Sequence, residues 1–333
     1  MKCLIPFLVS VLGSGLLLSF CASDARTKQQ IVFATFAEDR AALTNALLVA
    51  ESIRTFGGSY RSAPIRVYVP QLLRDDMSQF LDRLASLKVG VRTSAAPEDA
   101  AWFYFSAKVY AAGRAEAEAE SETALLAWLD EDTIVLQEPA EFILPQAKAL
   151  GYRPVMHRNV GLLYDGPVDA FWRRAYDLLS VPEASAFPMV TPADGDTIRA
   201  YFNAGCMIVR PERGLLRKWG DCFAVLYRDS LLAQMCREDV KKRIFIHQVA
   251  LTGAILMHLG RDEMVELSGR INYSIFFEQM FEAKRTFDDI SDVVTFRHES
   301  YFGNPAPDWD KKLKGPADRI AWMKARLGKK KSE

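Results

Sequence analysis

The order of apolar and polar positions gives the first picture of the chain. "QIVFATFA" (Gln30–Ala37) is an apolar run of strand length. "RAALTNALLVAESIRTFG" follows with helical spacing and closes on Gly57 and Gly58. "IRVYVP" reads as a second strand, "QLLRDDMSQFLDRLASL" as a second helix and "VGVRTS" as a third strand. Strand and helix in alternation predict parallel βαβ units in an open, mostly parallel α/β sheet flanked by helices. Phe105–Glu122 is rich in alanine and glutamate, and is expected to be a solvated helix leading into the strand "ALLAWLD". "EFILPQAKAL" is expected to be a short helix, and "FWRRAYDLLSV" an amphipathic one. Ser180–Asp196, rich in proline and polar residues, predicts a long exposed loop. "YFNAGCMIVRP" reads as a strand, with Pro211 opening the helix that follows. "KKRIFIHQVALTGAILMHLG" gives a further helix and "DVVTFRHE" a late strand.

Composition narrows the function classes. The chain has 333 residues, half of them apolar, with 42 basic and 42 acidic side chains. A balanced charge offers no field for nucleic acid. The first 25 residues combine Lys2, an apolar run and small residues near Ala25, the pattern of a secretory leader or membrane anchor. That places the bulk of the chain outside the cytoplasm, in a secretory lumen, in a periplasm or tethered to a membrane through the leader. Beyond the leader only Cys206, Cys222 and Cys236 remain, without a CxxC, so neither a disulfide framework nor a structural zinc site is expected. GxGxxG after the first strand, GxxxxGK[ST] and GxSxG are all absent.

The chemistry concentrates in "LLAWLDEDTIVLQEP" (Leu125–Pro139), where three carboxylates interrupt apolar sequence. Uncompensated, such groups are costly to bury. Residues two apart share a strand face, so Asp130 and Asp132 point together while Glu131 turns away. The carboxyl ends of the strands are where open α/β sheets bind ligands. Two carboxylates there suit a hard divalent ion such as Mn²⁺ or Mg²⁺, which often brings a substrate phosphate. Local turn formation and helix capping are the plainer roles for the same residues.

This segment resembles the DxD stretch of the GT-A nucleotide-sugar glycosyltransferases, family 8 and its relatives in particular. "FNAGCMIV", "HQVAL", "LSGRINYS" and "FRHESYFGNPAPDW" resemble later motifs of that family, in the same order, over roughly residues 30–309. The resemblance implies a GT-A fold over residues 26–310, between a leader at 1–25 and a C-terminal helix and basic tail at 311–333. It implies that Asp130, Asp132 and His298 bind the metal. Asn203 would contact the sugar, with Ala204 and Gly205 allowing close approach, and Gln248 would sit beneath the reacting carbon. Lys108 or Arg114 would reach the donor, foremost a UDP-sugar. The acceptor would be a carbohydrate, lipid or protein hydroxyl, glycosylated with retention.

The chain departs from the family pattern where His247 replaces an aspartate, where the closing lysine-proline-tryptophan becomes Ala306-Pro307-Asp308-Trp309 and loses the lysine that would meet the diphosphate, and where the spacing from His298 to the closing glycine lengthens. His247 is a candidate proton carrier. His157 and His258 read as ordinary loop and structural histidines. The departures leave room for a non-catalytic carbohydrate- or partner-binding descendant, and more remotely for a metal-dependent phosphohydrolase.

Overall fold

The computed structural model describes residues 29–275, 287, 289–298 and 314–327. The leader at 1–25, the segment 299–309 of the last motif and the basic tail lie outside them. Strand β1 (Gln29–Phe36) runs into helix α1 (Arg40–Phe56), whose N-terminus is capped by the Asp39 carboxylate accepting from Ala42 N at 2.8 Å. Strands β2 (Ile65–Val69) and β3 (Val89–Thr93) follow. The single helix expected between them is two short ones, α2 (Gln71–Asp75) and α3 (Leu81–Ser86), separated by a 3₁₀ turn. Only Leu73, Met77 and Leu84 of that stretch reach the core, too few to hold one continuous helix against the sheet.

Helix α4 (Ser106–Ala119) is not solvated as expected. Its alanines 111, 112, 115 and 119 are buried in the main core. Small side chains bring it so close to its neighbour α6 (Leu215–Arg228) that a methyl on Gly113 would lie 3.3 Å from Leu216 O. Glu116 on this buried face is fully enclosed, and caps α6 by accepting from Leu216 N at 3.0 Å and Arg217 N at 2.9 Å. Pro211 opens a 3₁₀ turn rather than α6 itself, which starts after Gly214 in the left-handed conformation (φ 65°).

Strand β4 (Thr123–Leu129) leads through the acidic turn to β5 (Thr133–Val135). "EFILPQAKAL" forms only a 3₁₀ turn, since Pro139 and Pro145 bracket it and Ile143 is extended; β6 (Leu150–Pro154) comes next. After α5 (Ala170–Leu179), the expected loop at 180–196 is partly ordered. Its β7 (Pro188–Val190) pairs with β8 (Thr197–Arg199), and Ala186, Met189 and Ala193 are buried. Strand β9 (Phe202–Val209) is enclosed along its whole length. Beyond α6 come α7 (Ser230–Glu238), α8 (Val240–His258), β10 (Met264–Glu266), β11 (Tyr273–Ser274), β12 (Thr295–Arg297) and α9 (Ala317–Arg326). No helix among the described residues is long and apolar enough to cross a membrane.

Seven strands form the main sheet, in the order β10-β6-β9-β4-β1-β2-β3. All neighbours are parallel except β9, which runs antiparallel to both β4 and β6. Alternation on β4 divides the core. Leu126 and Trp128 face α4, α5, α6 and α8, while Leu125, Ala127 and Leu129 face α1 and Phe142. A second sheet, β11-β12-β5, lies beyond the acidic turn, with β12 antiparallel to β5 in the register Arg297↔Thr133. Trp322, Met323 and Leu327 clamp it by packing with Ile134 and Leu136. This register sets Arg297, the last residue of β12, beside Asp132, 165 positions earlier in the chain.

Candidate functional site

Four elements converge beyond the end of β4. The acidic turn leaves β4 at Asp130, whose N–H donates to Gly205 O of β9 at 2.8 Å. Thr133 N closes the turn on Asp130 O at 3.1 Å. Helix α4 supplies Lys108, α8 supplies His247 and Gln248, and β12 supplies Arg297. Together with Phe105, Met156, His157, Asn159, Asn203, Ala204, Gly205, Ile244 and Phe245 they line a cavity of about 470 Å³, within the usual range for small-molecule sites.

The carboxylates are paired with cations. Lys108 Nζ forms an ion pair with Asp130 Oδ1. Arg297 holds Asp132 with two hydrogen bonds, Nε to Oδ1 at 3.0 Å and Nη2 to Oδ2 at 3.2 Å, and its Nη2 also lies 3.1 Å from Asp130 Oδ2. Burial alone would raise the Asp132 carboxyl, but the Arg297 charge and hydrogen bonds, with His298 and Lys108, hold it below the usual range. Glu131 is pushed up to about 7 by burial and by the charges of Asp132 and Asp130. It is half-buried rather than a freely solvated spacer.

Gly205 is a spatial requirement. A methyl there would collide with Asp130 Oδ2 and lie 2.9 Å from Asn203 Oδ1. Asn203 Oδ1 accepts from Gly205 N at 2.7 Å, and Gln248 Oε1 from Ala204 N at 3.4 Å. Both amides therefore keep an NH₂ group to donate. His247 Nδ1 donates to Ile244 O at 2.7 Å, which leaves Nε2 as an acceptor. Burial and the charge of Lys108 depress its pKa to about 3, so the ring is neutral at ordinary pH.

Of the residues expected from sequence, Asp130, Lys108, Asn203, Ala204, Gly205, His247 and Gln248 line one cavity. Asp132 stands behind it as the anchor of Arg297. His298 is buried, and its backbone N–H donates to Asp132 O at 3.1 Å. Arg114 does not reach the cavity; it pairs with Glu118, one turn along α4, at 2.8 Å. Among the described residues no three His, Cys, Asp or Glu side chains are arranged to hold a metal ion. The oxygens of Asp130 and Asp132 already face an ammonium and a guanidinium, so the set as arranged does not fit a divalent ion. Arg297, Phe105 and His157 were not anticipated. Arg297 sits one position before His298, but nothing in its neighbourhood announces partners so far away in sequence.

The family model of the Rhodobacterales glycosyltransferase domain matches residues 33–258, from β1 to the end of α8. The chain belongs to this glycosyltransferase family. Every cavity residue named above except Arg297 lies within the match. Among solved structures, an active-site mutant of LgtC superposes with a TM-score of 0.51 at 14% identity, covering 90% of this chain and 98% of LgtC. Mouse xyloside xylosyltransferase 1 superposes at 0.47 with 13% identity, covering 84% and 100%. The LgtC likeness is one of fold and identifies the transferase as a GT-A architecture. No curated protein sequence matches the chain.

Proposed function

We propose that this transferase moves a sugar from a nucleoside-diphosphate donor, foremost a UDP-sugar, to an acceptor hydroxyl with retention of configuration. The observation that carries the reading is the convergence of Lys108, Asp130, Asn203, Gln248 and Arg297 on one cavity at the carboxyl end of the sheet. Lys108 and Arg297, held in place by Asp130 and Asp132, are N–H donors at the cavity where a departing diphosphate gains negative charge, in a site already folded before reaction. The donor amides of Asn203 and Gln248 and the acceptor nitrogen of His247 suit sugar hydroxyls.

Asp130 is the one carboxylate among the described residues lining the cavity, and it is bound to Lys108, so no protein nucleophile is at hand. The bond from the anomeric carbon to the diphosphate oxygen breaks. The acceptor oxygen bonds to that carbon on the same face, and its proton passes to the departing phosphate. No step is routed through a divalent ion, because one would have to displace Arg297 first. The proposal is tested by incubating the protein with UDP-hexoses and a panel of saccharide acceptors, measuring UDP release, and reading the product anomer by NMR. Turnover lost in Asp130→Asn, with an α-linked product from an α-linked donor, is the expected result. No UDP release from any donor would defeat it.

A further inference from the structure

Three aromatic rings, one in the cavity wall and two beside it in sequence, have no role in the reaction as described. Trp102, Tyr104 and Phe105 are 43%, 46% and 46% exposed, an unusual cluster for large rings on one short turn. The turn is held firmly. Arg243 lies between two of the rings, its guanidinium carbon 4.9 Å from the Trp102 ring centre and 4.6 Å from that of Tyr104. It also donates to Tyr104 Oη at 2.8 Å. Beneath the run, Phe103 is buried against Phe223 and Tyr227.

Phe105 departs from ordinary backbone geometry, with φ 60° and ψ 11° at the start of α4. For a bulky residue this left-handed conformation is strained, and such strain gathers at ligand sites. Here it carries the ring into the cavity wall, 4.8 Å from the ring of His247 and 5.6 Å from Lys108 Nζ. The rings and the cavity are therefore continuous at two points. Phe105 follows Tyr104, and Arg243 precedes Ile244 and Phe245, which also line the cavity.

We propose that Trp102, Tyr104 and Phe105 form the acceptor platform, taking the apolar face of a pyranose ring from a saccharide acceptor. Aromatic faces suit the C–H-rich side of a sugar, while Arg243 and the cavity polar groups meet its hydroxyls. The platform joins the cavity at Phe105, which gives an acceptor hydroxyl a route toward the donor carbon. The inference rests on the glycosyltransferase reading and names the substrate class on its acceptor side.

The test uses a glycan array probed with the full chain in saturating UDP, together with UDP titrations of each variant. Binding to at least one pyranose-terminated glycan is expected, at least tenfold weaker in Trp102→Ala and retained in Tyr104→Phe, which keeps the ring and loses only the hydroxyl. UDP affinity and slow donor hydrolysis stay unchanged in both. An array with no bound glycan overturns the inference, as does equal glycan binding by Trp102→Ala. If Trp102→Ala weakens UDP itself, the ring serves the nucleobase and the inference also falls. Failure of the unmutated protein to bind UDP would instead strike the reading on which it rests.

Discussion

Arg297 grips Asp132 through two parallel hydrogen bonds, at 3.0 and 3.2 Å, and reaches Asp130 with the same guanidinium. Two carboxylates that suggest a metal site in sequence are thereby provided with a fixed organic cation. Planar two-pronged pairing of this kind is the strongest geometry open to an arginine and a carboxylate.

The first consequence concerns metal. The unmutated protein should bind no Mn²⁺, as followed by electron paramagnetic resonance, and EDTA should leave UDP affinity unchanged. Arg297→Ala frees Asp132 and leaves Asp130 with Lys108 alone; it should open a Mn²⁺ site, which Arg297→Ala combined with Asp132→Asn should abolish. Stoichiometric Mn²⁺ binding with Arg297 in place would show that the guanidinium yields to the ion.

Gly205→Ala should reduce donor turnover by about a hundredfold while the fold persists. The added methyl meets Asp130 Oδ2 and Asn203 Oδ1, both held by other partners, and overpacking of this kind costs about 1–3 kcal/mol. Turnover and thermal denaturation of the variant check both halves. Unchanged turnover would mean that the Asp130 position is not critical.

A charge-removal experiment measures the Lys108–Asp130 pair. In Lys108→Met the ammonium is lost from a buried ion pair; breaking such a pair costs about 3–5 kcal/mol where the remaining charge has no other partner, and less here because Arg297 still holds Asp130. Asp130→Asn with Lys108→Met should recover part of that stability, because no charge then lacks its partner. Chemical denaturation of the three variants gives the coupling. Additive losses would show that the pair is energetically independent.

The pH dependence of stability follows from Glu116. Burial raises its pKa from 4.5 to about 7, although the backbone donors at α6 oppose the shift. The folded state binds the proton more tightly than the unfolded one. Its contribution is therefore full below pH 4.5, declines as pH rises, and is gone above about 7; it is worth at most about 3 kcal/mol. Urea denaturation across this range should show the decline, and Glu116→Gln should flatten it. An identical profile in the variant would remove Glu116 as the cause.

Much of this was legible in the sequence, and the reasons are specific. The strands β1, β2, β4 and β9 are mostly apolar runs of strand length, and their alternation with helical stretches points to the α/β class. Asp130, Asn203, Gly205 and Gln248 each sit in a short motif of fixed order, and they line one cavity. Helix α4 misled because alanine and glutamate signal helix without saying which face is buried; close approach to α6 decided that. Arg114 looked as able as Lys108 to reach the donor, but it lies six positions along the helix and turns toward Glu118. Arg297 was missed because its role depends on the β5–β12 register, which local sequence does not encode.

The central claim is that the cavity holding Lys108, Asp130 and Arg297 receives a nucleoside diphosphate. Calorimetric titration of the full chain with UDP in the presence of EDTA tests it most directly. The account predicts one site of micromolar affinity, weakened at least tenfold by Lys108→Met. Absence of binding, or equal binding by the variant, would contradict it.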